Sequence, residues 1–473
     1  MSSLSKRRVL QVLAAAPLAL RRALADAPLI DWNDPQQTID GFGASASFHQ
    51  ARNLQTFPKK AQAKVLDLLF STQSGAGLSI TRNIVGDGGV IEDGSLWGKP
   101  FNGPTPSIEP SQGVWNWKGD EEQVWFMREA ARRGCTRHLS TAWSPPAWMK
   151  DNASVIHGGR VKPEFYRAYA EYLSAYVRGY KHHHGIDIYA VSPTNEPDIN
   201  QKYSSCLWSG EELRTLVRDH IAPVFARDRV RAKLLLGEHS HWIEDPFAPS
   251  LADPIAVARV DIVAAHAYTD INKGYETIAY RTGDFPLARA AGKPIWQTEV
   301  ACFDANDTSI DEALYWARLL HTHLVENRVS AWFYWWAVAY GARRGSLIDL
   351  DLEKKRYSTA KRLFAIGQYS RFVRPGFQRV TSQSQPLPGV CLAAFRDPRS
   401  QRCVAVVVNE NERPIPLSFA APERRAVCYR TSASEELARV GALAATDGTF
   451  QATLAPRSVT SFVIGPAAGM HLR

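Results

Sequence analysis

The chain has 473 residues, 45% of them hydrophobic and 22% charged, and a formal charge of +9. It is too long for one ordinary domain of ~100–200 residues, and its composition excludes a disordered or fibrous protein. The charge raises nucleic acid or an anionic surface as a partner, and 14 Trp, 16 Tyr and 19 Phe form an aromatic surplus.

Residues 1–25 have the three parts of an export signal. Lys6, Arg7 and Arg8 make a charged start, residues 9–20 an apolar stretch, and Ala23-Leu24-Ala25 a small-x-small site that leaves Asp26 as the new terminus. The run Ser5-Lys6-Arg7-Arg8-Val9-Leu10 resembles a twin-arginine signal, although it has Val9 where Phe is commonest. The apolar stretch is too short for the ~20 residues that span a bilayer. A periplasmic or extracellular protein with no membrane partner is therefore expected. Removal of the signal takes away five cations and no anion, leaving about +4. Nothing later resembles a nucleic-acid motif, so no nucleic-acid partner is expected. Six cysteines lie far apart without metal-ligand spacing. Cys391 and Cys403, at the edges of two strand-like runs, are the best candidate disulfide pair.

From residue 39 onward, short β-branched or aromatic runs alternate with helical stretches. The runs are 39–45, 78–85, 137–145, 188–197, 233–239, 261–269, 294–300 and 331–337, eight in all. Amphipathic stretches at 163–180, 209–226 and 307–327 separate some of them; Ser209 with Glu212 spells a capping box, and Asp307 with Asp311 puts acid in a first turn. Strands alternating with helices imply a parallel sheet, and eight units in about 330 residues imply an α/β fold of the (β/α)₈ TIM barrel type. An open doubly wound sheet is the competitor, but no Gly-x-Gly-x-x-Gly follows the first strand. After Phe372 short strands at 390–395, 403–409, 415–419, 426–429 and 459–464 predict a C-terminal β-sandwich side domain. The expected division is signal 1–25, a leading strand at 26–38 that joins the side domain, the barrel at 39–372 and the side domain at 373–473.

Chemistry in such a barrel lies at the C-terminal ends of the strands. Strand two ends with Arg82 and Asn83, strand three with Trp143, and strand four with Asn195-Glu196-Pro197. Strand six ends with His266 and Tyr268, strand seven with Gln297-Thr298-Glu299, and strand eight with Trp335 and Trp336. Each Glu alone is what a solvated surface would also show. Glu196 and Glu299 together, on opposite walls of one cup, are what glycoside hydrolysis needs: one protonates the leaving oxygen, the other attacks or activates water. Trp143, Trp148 and Trp335 would either offer flat faces to sugar rings or fill the barrel core. His266 is either a substrate contact or a buried structural imidazole.

The chain resembles glycoside hydrolase family 30. The resemblance is carried by Ile39-Asp40-Gly41-Phe42-Gly43-Ala44-Ser45, the run 75–83, Ala142-Trp143-Ser144-Pro145-Pro146-Ala147-Trp148-Met149-Lys150, Thr194-Asn195-Glu196-Pro197, Trp296-Gln297-Thr298-Glu299 and Phe372-Val373-Arg374-Pro375-Gly376. It implies a retaining mechanism with Glu299 as nucleophile and Glu196 as acid/base. It also implies that Arg82 and Tyr268 hold the nucleophile as an anion and that Asn195 binds the sugar 2-hydroxyl. No cofactor is implied. The expected partner is a polysaccharide or oligosaccharide, bound by a monomer.

The stretches 41–53, 69–83 and 329–335 look most like xylan-active members, so β-1,4-xylan or xylooligosaccharides are the expected substrate. β-1,6-Glucan or a glucosylceramidase-like β-glucoside is the alternative, and a catalytically silent carbohydrate-binding protein is the alternative of another class. Some xylan-active relatives pair an Arg with a glucuronic-acid branch. Where bacterial ones carry it, this chain reads Ala337-Val338-Ala339-Tyr340-Gly341, with no Arg before Arg343. Where fungal ones carry it, Gln50 takes the place, with Arg52 two residues on. No strict need for the branch is expected. His182-His183-His184 lies before strand four, opposite the cup, and reads as a solvated loop. The pairs His239/His241 and His321/His323 lack a carboxylate cluster, and Asp349-Leu350-Asp351 lacks the rest of a calcium loop. No metal is expected.

Overall fold

The computed structural model describes residues 28–89, 105–243, 245–268, 285–302, 307–340 and 345–465. The expected export signal and Arg343 lie outside these residues. Eight parallel strands close into a barrel: Gly41–Ser45, Ile80–Ile84, Arg137–Thr141, Ala190–Ser192, Lys233–His239, Ile262–Ala265, Ile295–Gln297 and Ala331–Trp336. They are called barrel strands one to eight below. All fall inside the runs read from sequence.

The barrel is a packed core, as its short, nearly all-apolar strands require. Ile80, Leu139, Leu235, Ile262, Trp296 and Phe333 fill its interior. Gly43 on strand one is required there, because a Cβ would sit 2.4 Å from the Phe333 ring and 2.8 Å from the carbonyl oxygen of Ile80. Asp40, one residue before strand one, makes a polar plug at the N-terminal end of the strands. Its carboxylate accepts from the Trp296 indole at 2.9 Å and pairs with Arg137 at 3.3 Å. This anchors the face opposite the cup.

Outside the barrel lie helices with one apolar stripe, of which Tyr166–Gly179 and Ile310–Val325 are the longest. The capping box at Ser209 forms as read, with Ser209 accepting from the Glu212 amide. Ser309 caps the helix Ile310–Val325, which has Asp311 and Glu312 in its first turn. The helix Lys361–Ser370 packs against Ile310–Val325. Between them Arg362 and Glu312, both fully buried, pair at 2.7 and 2.9 Å. Arg362 also donates to the carbonyls of Ser346 at 2.5 Å and Asp307 at 3.0 Å. Among the described residues no helix is long and apolar enough to cross a membrane.

Beside the barrel stands a seven-stranded antiparallel sheet. Its order is Ile30–Thr38, Gln378–Ser382, Val390–Arg396, Cys403–Asn409, Ser458–Ile464, Arg425–Thr431 and Ala438–Ala444. Ile415–Ala420 pairs with Thr449–Leu454 as a second, two-stranded sheet over one face. Ile415, Leu417 and Phe419 point inward while Pro416, Ser418 and Ala420 face water, the alternation of a strand buried on one side. The other face of the large sheet packs on the helices Ile310–Val325 and Lys361–Ser370. Cys403–Asn409, covered on both faces, is accordingly buried throughout.

The expected Cys391–Cys403 disulfide is wrong, and both are free thiols. The two strands pair antiparallel, with Cys391 opposite Val408 and Cys403 opposite Arg396. The cysteines are thus five residue steps apart along the ladder, ~17 Å at ~3.4 Å per residue, against a Cα limit near ~7 Å for a bridge. They also face opposite ways, Cys391 toward the barrel helices and Cys403 toward the small sheet. Strand edges were legible in the sequence, but register was not.

Candidate active site

The sequence-predicted site residues Arg82, Trp143, Asn195, Glu196, His266, Tyr268, Glu299 and Trp335 all lie buried at or just past the C-terminal ends of barrel strands. The structure brings them into one connected group, with Arg82 at its centre. Its Nη1 donates to Oε2 of Glu299. Nη2 donates to Oδ1 of Asn195 at 2.6 Å and lies 3.3 Å from Nε2 of His266, and Nε donates to Oε1 of Glu238 at 3.2 Å. The flat guanidinium lies 4.5 Å from the centroid of Trp143 and 5.3 Å from that of Trp335. A planar fork that reaches four strands and stacks on two indoles is what Arg provides and Lys does not. Burial alone would lower its pKa; the carboxylates of Glu238 and Glu299 outweigh that and raise it.

Glu299 stands two residues past barrel strand seven and is 6% exposed. Besides Arg82 it accepts from the Tyr268 hydroxyl at 3.1 Å. Burial pushes this carboxyl above the usual carboxylate range, while His266 and Arg82 pull it back toward the anion. Glu196 stands four residues past strand four, with a left-handed φ of 44° and the same 6% exposure. Its carboxyl contacts two groups: the Tyr203 hydroxyl donates to Oε2 at 3.2 Å, and Nδ1 of His266 lies 3.1 Å from Oε1. Because Arg82 donates to Nε2 of His266, the neutral ring carries its proton on Nδ1 and donates it to Glu196. Burial alone would lower the pKa of His266, but Glu299 and Glu196 outweigh this and raise it. The imidazole thus sits between the two glutamates, 3.1 Å from Glu196 and 3.9 Å from Glu299.

Carboxyl oxygens of Glu196 and Glu299 and the nearer nitrogen of His266 all lie within 4.8 Å of one another. Among the described residues this trio is also the one close enough to hold a metal ion. Arg82 donates to both Glu299 and His266, so a cation is already present where the metal would have to enter. Two carboxyls at this spacing are closer than the ~6.5–9.5 Å over which one carboxylate activates a water for direct attack. They suit a displacement in which one attacks directly.

The indoles of Trp143 and Trp335 lie 5.5 Å apart, with Phe48 edge-on to Trp143 at 5.6 Å. They form an aromatic wall that also clamps Arg82. Trp148 stands apart: its indole packs edge-on against Phe165 at 5.4 Å and donates to the carbonyl of Glu109. Gln50 is fully buried and accepts from the Tyr340 amide at 2.9 Å, whereas Arg52 reaches out to Glu122 at 3.0 Å. Two further residues belong to the site, Tyr203 and Glu238. Tyr203 lies in an irregular loop with no periodic signal. Glu238 sits in the Gly-Glu-His end of strand five, where an acid inside an apolar run was the available clue.

Three comparisons fit this geometry. Residues 27–243 match the family model described as O-glycosyl hydrolase family 30. The chain is 27% identical over 359 residues to the glucuronoxylanase XynC of Bacillus subtilis, covering 72% of this chain and 77% of that protein. It is 25% identical over 313 residues to the lysosomal acid glucosylceramidase of Mus musculus, covering 60% and 58%. Among solved structures, the family 30 subfamily 8 xylanase Xyn30A of Clostridium acetobutylicum superposes with a TM-score of 0.74 at 25% identity, over 92% of this chain and 98% of that one.

Proposed function

Because the chain belongs to glycoside hydrolase family 30, we propose that it is an exported, monomeric retaining hydrolase of β-1,4-xylan or xylooligosaccharides. The observation that carries the mechanism is the placement of carboxyl oxygens of Glu196 and Glu299 within 4.8 Å of each other. Retaining enzymes hold their carboxyls ~5–5.5 Å apart and inverting ones ~6.5–9.5 Å. Glu299, held as an anion by Arg82 and by Tyr268 at 3.1 Å, attacks the anomeric carbon. Glu196 enters protonated and gives its proton to the departing oxygen, leaving a glycosyl ester on Glu299. Water then attacks the ester, and Glu196 takes the water's proton back. His266 and Tyr203 aim the Glu196 carboxyl through both steps. Asn195, fixed by Arg82, is placed to meet the sugar 2-hydroxyl.

Xylan as substrate is supported by the motifs and by the xylanase relatives. The named activity of the Bacillus relative includes a glucuronic-acid branch, yet here Gln50 is spent on the Tyr340 backbone and strand eight runs into Ala337-Val338-Ala339 without an Arg. We therefore expect branched and debranched xylan to be cleaved at similar rates. The twin-arginine-like leader supports export to the periplasm or beyond. The test is a polysaccharide panel of glucuronoxylan, debranched xylan, β-1,6-glucan and a β-glucoside, with products identified by mass, run on the parent chain and on Glu299→Gln. Xylooligosaccharides from both xylans, and none from the variant, fit the proposal. Turnover confined to β-1,6-glucan or the glucoside, or undiminished in the variant, contradicts it.

A further inference from the structure

Arg82 has a second carboxylate partner that the reaction above does not use. Glu238 is fully buried, and its Oε1 accepts from Nε of Arg82 at 3.2 Å, on the opposite edge of the guanidinium from Glu299. Among the described residues its Oε2 has no hydrogen-bond partner. A buried carboxylate with an idle oxygen costs stability unless it serves something else. Its backbone is equally unusual. Glu238 adopts a left-handed φ of 56°, and strand five bulges between Gly237 and His239 against strand six. The bulge depends on Gly237, whose φ is 112° and where a Cβ would lie 2.0 Å from the Phe247 ring. Such bulges re-aim a side chain. Here the bulge also turns the Glu238 carbonyl onto the Glu196 amide, at 2.8 Å.

We infer that Glu238 is a positioning residue for both glutamates: its carboxylate holds Arg82 in place and shares its charge with Glu299, while its carbonyl fixes the backbone of Glu196. The inference rests on the proposed roles of Glu299 and Glu196 and adds a third acid to them. Arg82 faces Glu299 from strand seven, Glu196 and Asn195 from strand four, Glu238 from strand five and His266 from strand six, with Tyr268 and Tyr203 on the outer sides of the two glutamates. Glu238 is therefore the acid of this group that draws on Arg82 from outside the Glu196–Glu299 pair. With it present, Glu299 receives part of the arginine's charge and stays basic enough to attack.

Glu238→Gln keeps the shape and an acceptor for Nε but removes the charge. The measurement is the pH dependence of kcat/KM on a dinitrophenyl β-xyloside, whose leaving group needs no proton, so that the acid limb reports Glu299. The expected limb lies about one pH unit below that of the parent, since a like charge is removed and Arg82 serves Glu299 alone. Hydrolysis of xylan falls about tenfold. Glu238→Asp, which restores the charge, returns the limb to the parent position. A limb unmoved in Glu238→Gln, with activity either kept or lost, overturns the inference and leaves Glu238 a structural residue. Turnover of the same xyloside by Glu299→Gln would instead remove the reading on which the inference rests.

Discussion

Replacing Arg82 with Gln removes the cation that the site is built around. Glu299 and Glu238 lose their shared counter-charge, Asn195 loses its 2.6 Å donor, and Trp143 and Trp335 lose the plane between them. An Arg beside a buried carboxylate lowers its pKa by about 1–3 units. Burial already pushes Glu299 upward, so loss of Arg82 moves its titration further up by that amount. At a pH well below its titration point the ionised fraction then falls by up to ~10- to 1000-fold, and kcat/KM falls with it at the acid end of the profile. Stability drops as well, by about 3–5 kcal/mol, the usual cost of stranding a buried charge. Arg82→Lys keeps the charge but cannot donate to Glu238, Glu299 and Asn195 at once, and is expected to recover only part of the rate. The assay is kcat/KM from pH 4 to 8 on an aryl β-xyloside, with thermal unfolding alongside. An Arg82→Gln enzyme within about threefold of the parent, with its acid limb in place, would refute the electrostatic reasoning.

Removing the hydroxyl in Tyr268→Phe deletes the 3.1 Å bond to Glu299 and is expected to lower kcat/KM ~10- to 100-fold with little change in Tm; equal fallback in Tm and rate would mark the residue as structural. Arg362→Met leaves Glu312 buried and unpaired between two helices, and should lower Tm by roughly 5–10 °C; an unchanged Tm would contradict that pairing. His321 is held by burial down to about 3, against about 6.5 when unfolded. Its stabilising contribution is complete above that unfolded value and is lost as pH falls toward the folded one, by up to about 1.4 kcal/mol per pH unit. Asp87 and Asp120, raised by burial to about 6 and about 7, act with the opposite sign over this window. The comparison is therefore a difference: Tm of His321→Gln minus Tm of the parent rises as pH drops from 6.5 to 4.5. A constant difference would show that His321 does not titrate on unfolding.

Eight strand runs were legible because parallel strands buried on both faces leave continuous apolar stretches, and the glutamates were legible because the topology puts strand ends in one cup. Their limits were less so. The run 188–197 shrinks to the strand Ala190–Ser192, since Pro193 cannot donate to a ladder and Glu196 turns left-handed. Glu238 stayed hidden because its role depends on a bulge that shifts register by one residue, a feature that leaves little mark on hydrophobic pattern. The Cys391–Cys403 expectation failed for the same kind of reason. Proximity across a sheet depends on register and face, and neither can be read from the ends of two runs. The aromatic surplus went partly where expected, although Trp143 and Trp335 turn out to grip Arg82 as well as wall the cup.

The spacing of Glu196 and Glu299 can be tested most directly by the configuration of the first product. Proton NMR of xylooligosaccharide hydrolysis, recorded before mutarotation, reads the new anomeric centre as it forms. Carboxyl oxygens within 4.8 Å predict the β-anomer first, with the α-anomer growing in only as the sugar equilibrates. Initial release of the α-anomer would mean a single displacement by water and would contradict Glu299 as nucleophile.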